Sequence, residues 1–375
     1  MADDMTTHAP LRTIGFPGRY TQGPGALASL GPTLADLGAR RAFVLVDEAV
    51  AVRVSADVVQ SLEAAGVAPH LAAFPGECTA AVIAKLAGDA RERHADAVVA
   101  IGGGKTIDTA KGVARALDAP IVIAPSAASS DAPTSRLIIL YDEAHRVAGI
   151  EMLPRNPDAV IVDTALIAAA PARLFAAGIG DALSKQFEAA QCQRAGGLNS
   201  YGTPPLPSAL LLTRATLAIL LEDGARAYAD VGRGELTDAV ERVVEATVLL
   251  SGVGFESGGL SLAHALIRGL TAIPAMASMM HGELVAFGTL VQLFVEDSSP
   301  EEIEPLATLM TAVGLPLTLA QLGQHAPLTS AQEALIAEAT LATRYSRHMT
   351  PPLTAQRVID GIARADAYGR TRSAS

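Results

Sequence analysis

Apolar positions follow two rhythms along this chain. In its first part, short apolar runs alternate with longer amphipathic stretches. Phe43–Val46, His70–Phe74, Asp96–Ile101 and Pro120–Ala124 have the length and apolar content of strands. The intervening stretches Val50–Ala65, Thr79–Arg93 and Thr106–Leu117 read as helices. In the last of these, Ile107, Ala110, Val113, Ala114 and Leu117 fall on one face of a 3.6-residue repeat. Leu137–Leu140 and Val147–Ile150 flank a polar turn, Tyr141–Arg146, and predict a β-hairpin, after which Ala159–Val162 returns to the sheet. Strands alternating with helices imply a parallel sheet covered on both faces.

Beyond about Pro171 the strand signals fade. Asp181–Gln193, Ser208–Leu221, Leu236–Ser251, Leu260–Gly269, Glu283–Val295, Pro305–Val313 and Ala331–Tyr345 all read as helices. The pattern predicts an α/β domain over 1–170 and an all-helical domain over 171–375, with residues 1–10 and 370–375 as frayed ends.

Composition narrows the class. With 375 residues, 50% hydrophobic and 18% charged, the chain is not of the disordered kind. Its net charge of −11, its lack of Trp and its 4% aromatic content provide neither the basic footprint nor the stacking platforms of a nucleic-acid binder. Nor do they provide a basic face for an anionic membrane. The start has no signal-peptide pattern, and the apolar stretch Ala209–Leu221 is too short to span a bilayer and is interrupted by Arg214. Two cysteines, Cys78 and Cys192, make neither a disulfide framework nor a zinc cluster, which points to a reducing, cytoplasmic compartment.

The chemistry begins at Ile101-Gly102-Gly103-Gly104-Lys105-Thr106, between a strand and a helix. Glycines let the backbone approach a phosphate, and the helix N-terminus and Lys105 supply positive charge. A Walker-type loop is disfavoured, because the glycine it needs at position 99 is Val99. Asp47, ending the first strand, suits a ribose hydroxyl and repels a 2′-phosphate, favouring NAD over NADP, or is an ordinary helix cap. The hydroxyl-rich run Ser126–Ser135 follows the fourth strand, where open α/β sheets bind ligands, and carries one carboxylate, Asp131. Of eight histidines, His264 and His281 alone lie on apolar helices. Asp181, read as opening a helix after Gly178-Ile179-Gly180, is the best anionic partner. One Asp and two His would leave a coordination position open on a divalent ion, as in a catalytic site.

These segments, together with Leu250–Leu260 and His281–Gly288, resemble the bacterial glycerol dehydrogenases of the metal-dependent (iron-type) alcohol dehydrogenase superfamily, over nearly the whole chain. The resemblance implies the dehydroquinate synthase-like architecture: an N-terminal Rossmann-like domain, an all-α C-terminal domain and an active site in the cleft between. It implies NAD and one divalent metal ion, zinc first with iron and manganese also fitting, held by Asp181, His264 and His281. Asp47, Gly102, Gly103, Gly104, Lys105, Thr106, Asp108, Ser126, Ser129, Ser135, Leu137 and Tyr141 would form the dinucleotide site. Asp131 would hold a substrate hydroxyl and Phe255 would line the pocket. The implied reaction is reversible oxidation of a secondary hydroxyl of glycerol or a related vicinal diol to the ketone, in a cytoplasmic homo-oligomer, octameric by resemblance.

Two departures change the pocket wall. Where the family has His-Ala-x-His-Asn-Gly, this chain has His264-Ala-Leu-Ile267-Arg268-Gly269. Where the family carries further histidines before His-Gly-Glu, this chain has Ala277-Ser-Met-Met280. Arg268 either meets a carboxylate or phosphate on a substrate such as a hydroxy acid or polyol phosphate, or makes a surface ion pair, the commoner use of such a residue. A lyase of the dehydroquinate-synthase type is a remote alternative, because Arg268 is the one basic residue near the metal motifs.

Overall fold

The computed structural model describes residues 10–143 and 145–373. Eight strands are β1 (Tyr20–Gly23), β2 (Arg41–Val46), β3 (Ala68–Ala73), β4 (Ala97–Gly102), β5 (Ile121–Pro125), β6 (Leu137–Tyr141), β7 (Val147–Met152) and β8 (Ala159–Asp163). Among them lie α1 (Leu30–Asp36), α2 (Glu48–Ala64), α3 (Ala80–Glu92) and α4 (Gly104–Leu117). Every later element is helical: α5 (Thr164–Ala168), α6 (Ala172–Leu183), α7 (Lys185–Arg194), α8 (Pro207–Gly232), α9 (Asp238–Glu245), α10 (Ser251–Gly258), α11 (Leu262–Leu270), α12 (His281–Val295), α13 (Pro300–Ala312), α14 (Ser330–Leu341) and α15 (Ala355–Ser373), with short 3₁₀ and π turns between some of them.

Six strands form a parallel sheet in the order β1-β8-β5-β4-β2-β3, and β6–β7 form a separate antiparallel hairpin. The two-residue period of the strands divides the core. Phe43, Leu45, Val98, Ala100, Ile123, Val160 and Val162 face one side, in a cluster that continues into the C-terminal helices. Val44, Val46, Val99, Ile101, Val122, Ala124 and Ile161 face the other, against α1 and α2. Because both faces are covered, these strands read as unbroken apolar runs. Strand order reverses between β2 and β4, so a crevice opens at their carboxyl ends, beside Asp47 and Gly102.

Several boundaries differ from the sequence expectation. Asp181 does not open a helix. It is near the end of α6, and Ser184, itself helical, joins α6 to α7. Helix α13 starts at Pro300 rather than Pro305. Ser299 and Glu302 form its capping box, and Pro305 is carried inside the helix. Residues 370–373 are not frayed: they end α15, which docks through Val358, Ile362 and Ala365 and is tied down by the pairs Arg370–Asp366 and Arg372–Glu304. Residues 1–9 and 374–375, also expected to fray, are outside the described residues. Strand β1 and helix α1 were not legible in the pattern. Among the described residues, no single helix is long and apolar enough to cross a membrane.

Candidate active site

The crevice at the strand reversal is built by two strand ends. Asp47 caps α2 by accepting from the Ala49 amide (3.0 Å), and it also accepts from Thr106 Oγ1 (3.1 Å) across the crevice. The helix-cap reading of Asp47 is thus met, and the residue stays half-buried beside the glycine turn. Gly103 precedes α4 without a side-chain cap, which leaves the first amides of that helix for a ligand. A Cβ on Gly103 would meet nothing within 4 Å, and one on Gly104 only Ser130 Oγ at 3.9 Å, so open space stands over this N-terminus. A Cβ on Gly102 would lie 2.7 Å from Thr106 Oγ1 and 2.9 Å from Asp47 Cβ, wedging the pair apart.

Lys105 Nζ donates to Glu77 Oε2 (2.7 Å) and lies 4.7 Å from the Tyr141 ring centroid. Burial, then Asp108, Glu77 and Cys78, push the Tyr141 hydroxyl up to about 12. Asp108 faces inward. Its carboxylate is buried against Lys111 Nζ (3.2 Å) and the Ile139 amide (3.0 Å). Lys111, fully buried, continues to the carbonyls of Leu137 (2.7 Å) and Ala132 (2.8 Å), so this pair braces the hairpin against α4. Ser126 and Ser129 are half-buried on the loop after β5, whereas Ser135 is buried, its hydroxyl facing the Ala132 carbonyl.

The second cluster depends on close helix packing. A Cβ on Gly178 would stand 1.9 Å from the Ala128 carbonyl oxygen, and one on Gly180 would stand 2.4 Å from that of Gly282. These absent side chains let α6 approach both the Ser126–Ser135 loop and the start of α12. Asp181, from α6, His264, from α11, and His281, the first residue of α12, each bring one ligand-type atom within 4.8 Å of the others. Asp181 Oδ1 is 3.4 Å from His264 Nε2 and 3.6 Å from His281 Nε2. Asp181 Oδ2 is buried with no hydrogen-bond partner among the described residues. A convergent Asp and two His, with an orphaned carboxylate oxygen, fit a divalent cation.

Glu188 is the support behind this set. Its Oε2 lies 2.5 Å from His264 Nδ1, and its Oε1 accepts from the amides of Ser261 (2.8 Å) and His264 (3.0 Å), closing the N-terminus of α11. Burial works most strongly against ionisation of the His264 ring and the Lys185 charge adds to it, but Glu188 and Asp181 together outweigh both and raise the ring to about 9. Burial likewise opposes the Glu188 charge, but His264 and Lys185 hold its carboxyl below the usual range. Asp131 Oδ2 accepts from Ser251 Oγ (3.2 Å) and from Lys185 Nζ (3.0 Å), while burial and the Asp181 charge push its pKa up. Asp181, despite burial, is held well below the usual carboxylate range by Lys185 and both histidines. Phe255 is buried, with its ring centroid 5.3 Å from Lys185 Nζ.

Asp131, Phe255, Asp181, His264 and His281 are therefore brought together. Arg268 is exposed on α11, four residues beyond His264, and its guanidinium has no ion pair or hydrogen bond among the described residues, so the surface ion pair expected of it is not formed. Sequence reasoning missed Lys185, Glu188 and Ser251. The signal for the first two was available: Asp181, Lys185 and Glu188, spaced by four and three, put three charges on one stripe of a stretch with no other charge between Arg173 and Arg194. The other side of α7, through Gln186, Phe187 and Ala190, lines a separate cavity of about 640 Å³.

A sequence profile of the family described as iron-containing alcohol dehydrogenase matches residues 17–164. Glycerol dehydrogenase of Escherichia coli O6:H1 is 44% identical over 360 residues, covering 96% of this chain and 98% of that enzyme. The chain belongs to the iron-containing alcohol dehydrogenase family. Another relative, glycerol dehydrogenase of Pseudomonas putida, is 43% identical with the same coverage. The crystal structure of glycerol dehydrogenase from Schizosaccharomyces pombe superimposes with a TM-score of 0.91 at 33% identity, covering 97% of this chain and 92% of that one. The α/β sheet followed by a helical half is the architecture of this iron-type family.

Proposed function

We propose that this chain is an NAD- and metal-dependent polyol dehydrogenase that reversibly oxidises a secondary hydroxyl of glycerol or a related vicinal diol to the ketone. The observation that carries the reading is the convergence of Asp181, His264 and His281 beside Asp131. The glycerol dehydrogenases at 40–44% identity over nearly their full length support it.

Asp181, His264 and His281 would hold the ion, and Asp47, Gly102–Thr106 and the Ser126–Tyr141 segment would hold the dinucleotide. When bound, the ion supplies Lewis-acid polarisation of the reacting oxygen and the nicotinamide supplies the hydride acceptor. The chain's own residues bind and orient. Asp131 accepts the hydroxyl next to the reacting one, which favours diols over simple alcohols. Phe255 covers the site with an apolar ring and excludes water. Glu188 keeps the His264 ring turned toward Asp181. We read zinc as the resident ion because one Asp and two His leave a position open on it. A cytoplasmic location accords with the two unpaired cysteines, and we carry the homo-oligomer over from the resemblance alone.

The test is NADH absorbance on glycerol, 1,2-propanediol, a mono-alcohol and two hydroxy acids, each with zinc and with chelator. Metal-dependent turnover on the diols, with a diol preference reduced in Asp131→Ala, supports the reading. The unpartnered guanidinium of Arg268 favours a second reading, a dehydrogenase for a charged substrate. Turnover confined to the acids and lost in Arg268→Ala would replace the first reading with the second.

A further inference from the structure

Lys185 is, among the described residues, the one lysine or arginine buried in the metal cluster, and nothing in the polyol dehydrogenase reading uses it. Its side chain is 1% exposed. Helices α6 and α7 run on through Ser184, so Lys185 follows Asp181 by four residues and returns to the same face. Its Nζ lies 2.6 Å from Asp181 Oδ1, 3.0 Å from Asp131 Oδ2 and 3.2 Å from His264 Nε2. Two of these three atoms belong to the ligand set that would hold a divalent ion, and the third belongs to the carboxylate assigned to the substrate.

The position carries chemical consequences. A buried pair of carboxylates, Asp131 and Asp181, needs a compensating positive charge, and Lys185 provides one on the polypeptide itself. A divalent ion placed on the same donors must share them with a like charge, which lowers its affinity. An ammonium is also a three-proton donor at the place where a substrate oxygen would be held. Of its contacts, that to His264 is the longest and the most readily exchanged for such an oxygen.

We propose that Lys185 is a tethered cation of this active site. Its ammonium contests the ion's place between Asp181 and His264, and in protein stripped of metal it holds the substrate oxygen there by an N–H hydrogen bond. The substrate part rests on the polyol dehydrogenase reading; the competition with the ion does not.

The experiment uses full-length protein and Lys185→Met, with circular dichroism to check folding. Lys185→Gln, which removes the charge but keeps a polar end, replaces it if the Met variant does not fold. The first measurement is zinc affinity, by competition with a chromophoric chelator, together with metal content. The variant should bind zinc about tenfold or more tightly than the wild type, and zinc should raise its unfolding temperature further. The second is dihydroxyacetone reduction by NADH in chelator-treated protein. The wild type should keep a residual rate about tenfold or more above that of the variant. Equal zinc affinity in the two proteins overturns the competition. Equal rates in the stripped proteins overturn the role at the substrate oxygen. If no form of the protein reduces dihydroxyacetone, with zinc or without it, the polyol reading itself fails, and the zinc titration still decides whether Lys185 contests the ion.

Discussion

Glu188 Oε2 lies 2.5 Å from His264 Nδ1, deep in the helical half, so the outer nitrogen of the ring is aimed at Asp181 by a carboxylate that solvent does not reach. The same carboxylate, with Asp181, raises the ring to about 9 against the effect of burial. Below that value the ring must release a proton before it can ligate, so zinc affinity should climb with pH up to about 9. In Glu188→Gln the climb should end at a clearly lower pH, because burial and the Lys185 charge then oppose protonation of the ring with only Asp181 to favour it. Affinity above that pH should be about 10–100-fold lower than in the wild type because the His264 ring is no longer fixed. Zinc titrations across pH measure both effects. An unchanged profile would mean that Glu188 serves only to close α11.

Asp47 caps α2, and in the proposed function it also faces the dinucleotide ribose; the two roles separate in one variant. In Asp47→Ser the hydroxyl can still cap α2, so stability should change by no more than about 1 kcal/mol. The carboxylate that repels a 2′-phosphate is gone, and kcat/KM with NADP should rise about tenfold relative to NAD. Steady-state kinetics with both dinucleotides decide this. An NADP/NAD ratio that does not move would take Asp47 away from the ribose.

Both thiols are fully buried, and burial pushes Cys78 up to about 11 and Cys192 up to about 12, the latter with help from Glu188. Native protein at pH 8 should therefore react with no thiol reagent on the minute scale, and unfolded protein should titrate two thiols. The linkage follows from the sign of the shift. A thiol raised above its unfolded value of 9.0 contributes its stability fully below pH 9 and loses it as pH rises through 11 to 12. Unfolding temperature against pH should fall over that window. A thiol that reacts in the native state would place one cysteine at the surface.

Much of this was legible in the sequence because local pattern and tertiary role agree. The alternation of strands and helices up to Val162, the glycine turn at 102–104 and the three ligand-type residues needed only periodicity and resemblance. What stayed hidden depends on contacts between distant segments. Gly178 and Gly180 look like a turn before a helix, yet their lack of side chains is used for contact between α6 and its neighbours, so Asp181 falls near the end of α6 and not at the start of the helix it was expected to open. The one-faced pattern of α4 hid Asp108 and Lys111, which are buried because the hairpin covers the helix's other side. Helix α15 escaped notice because its buried residues, such as Val358 and Ile362, are outnumbered by polar ones.

The contact between α6 and α12 yields the last prediction. A Cβ on Gly282 would stand 1.7 Å from the Ala177 carbonyl oxygen and 2.5 Å from its carbon, with no flexible side chain to give way. Gly282 follows His281 directly, so any relief must shift the first turn of α12 away from α6 and carry His281 away from Asp181. Gly282→Ala should cost about 1–3 kcal/mol of stability, a typical overpacking penalty. Its cost in zinc affinity should be the larger effect, because ligation needs His281 and Asp181 on the same ion. Chemical denaturation and zinc titration of the same variant separate the two. A loss of stability without a loss of affinity would show that α12 moves as a unit with its ligand still in reach.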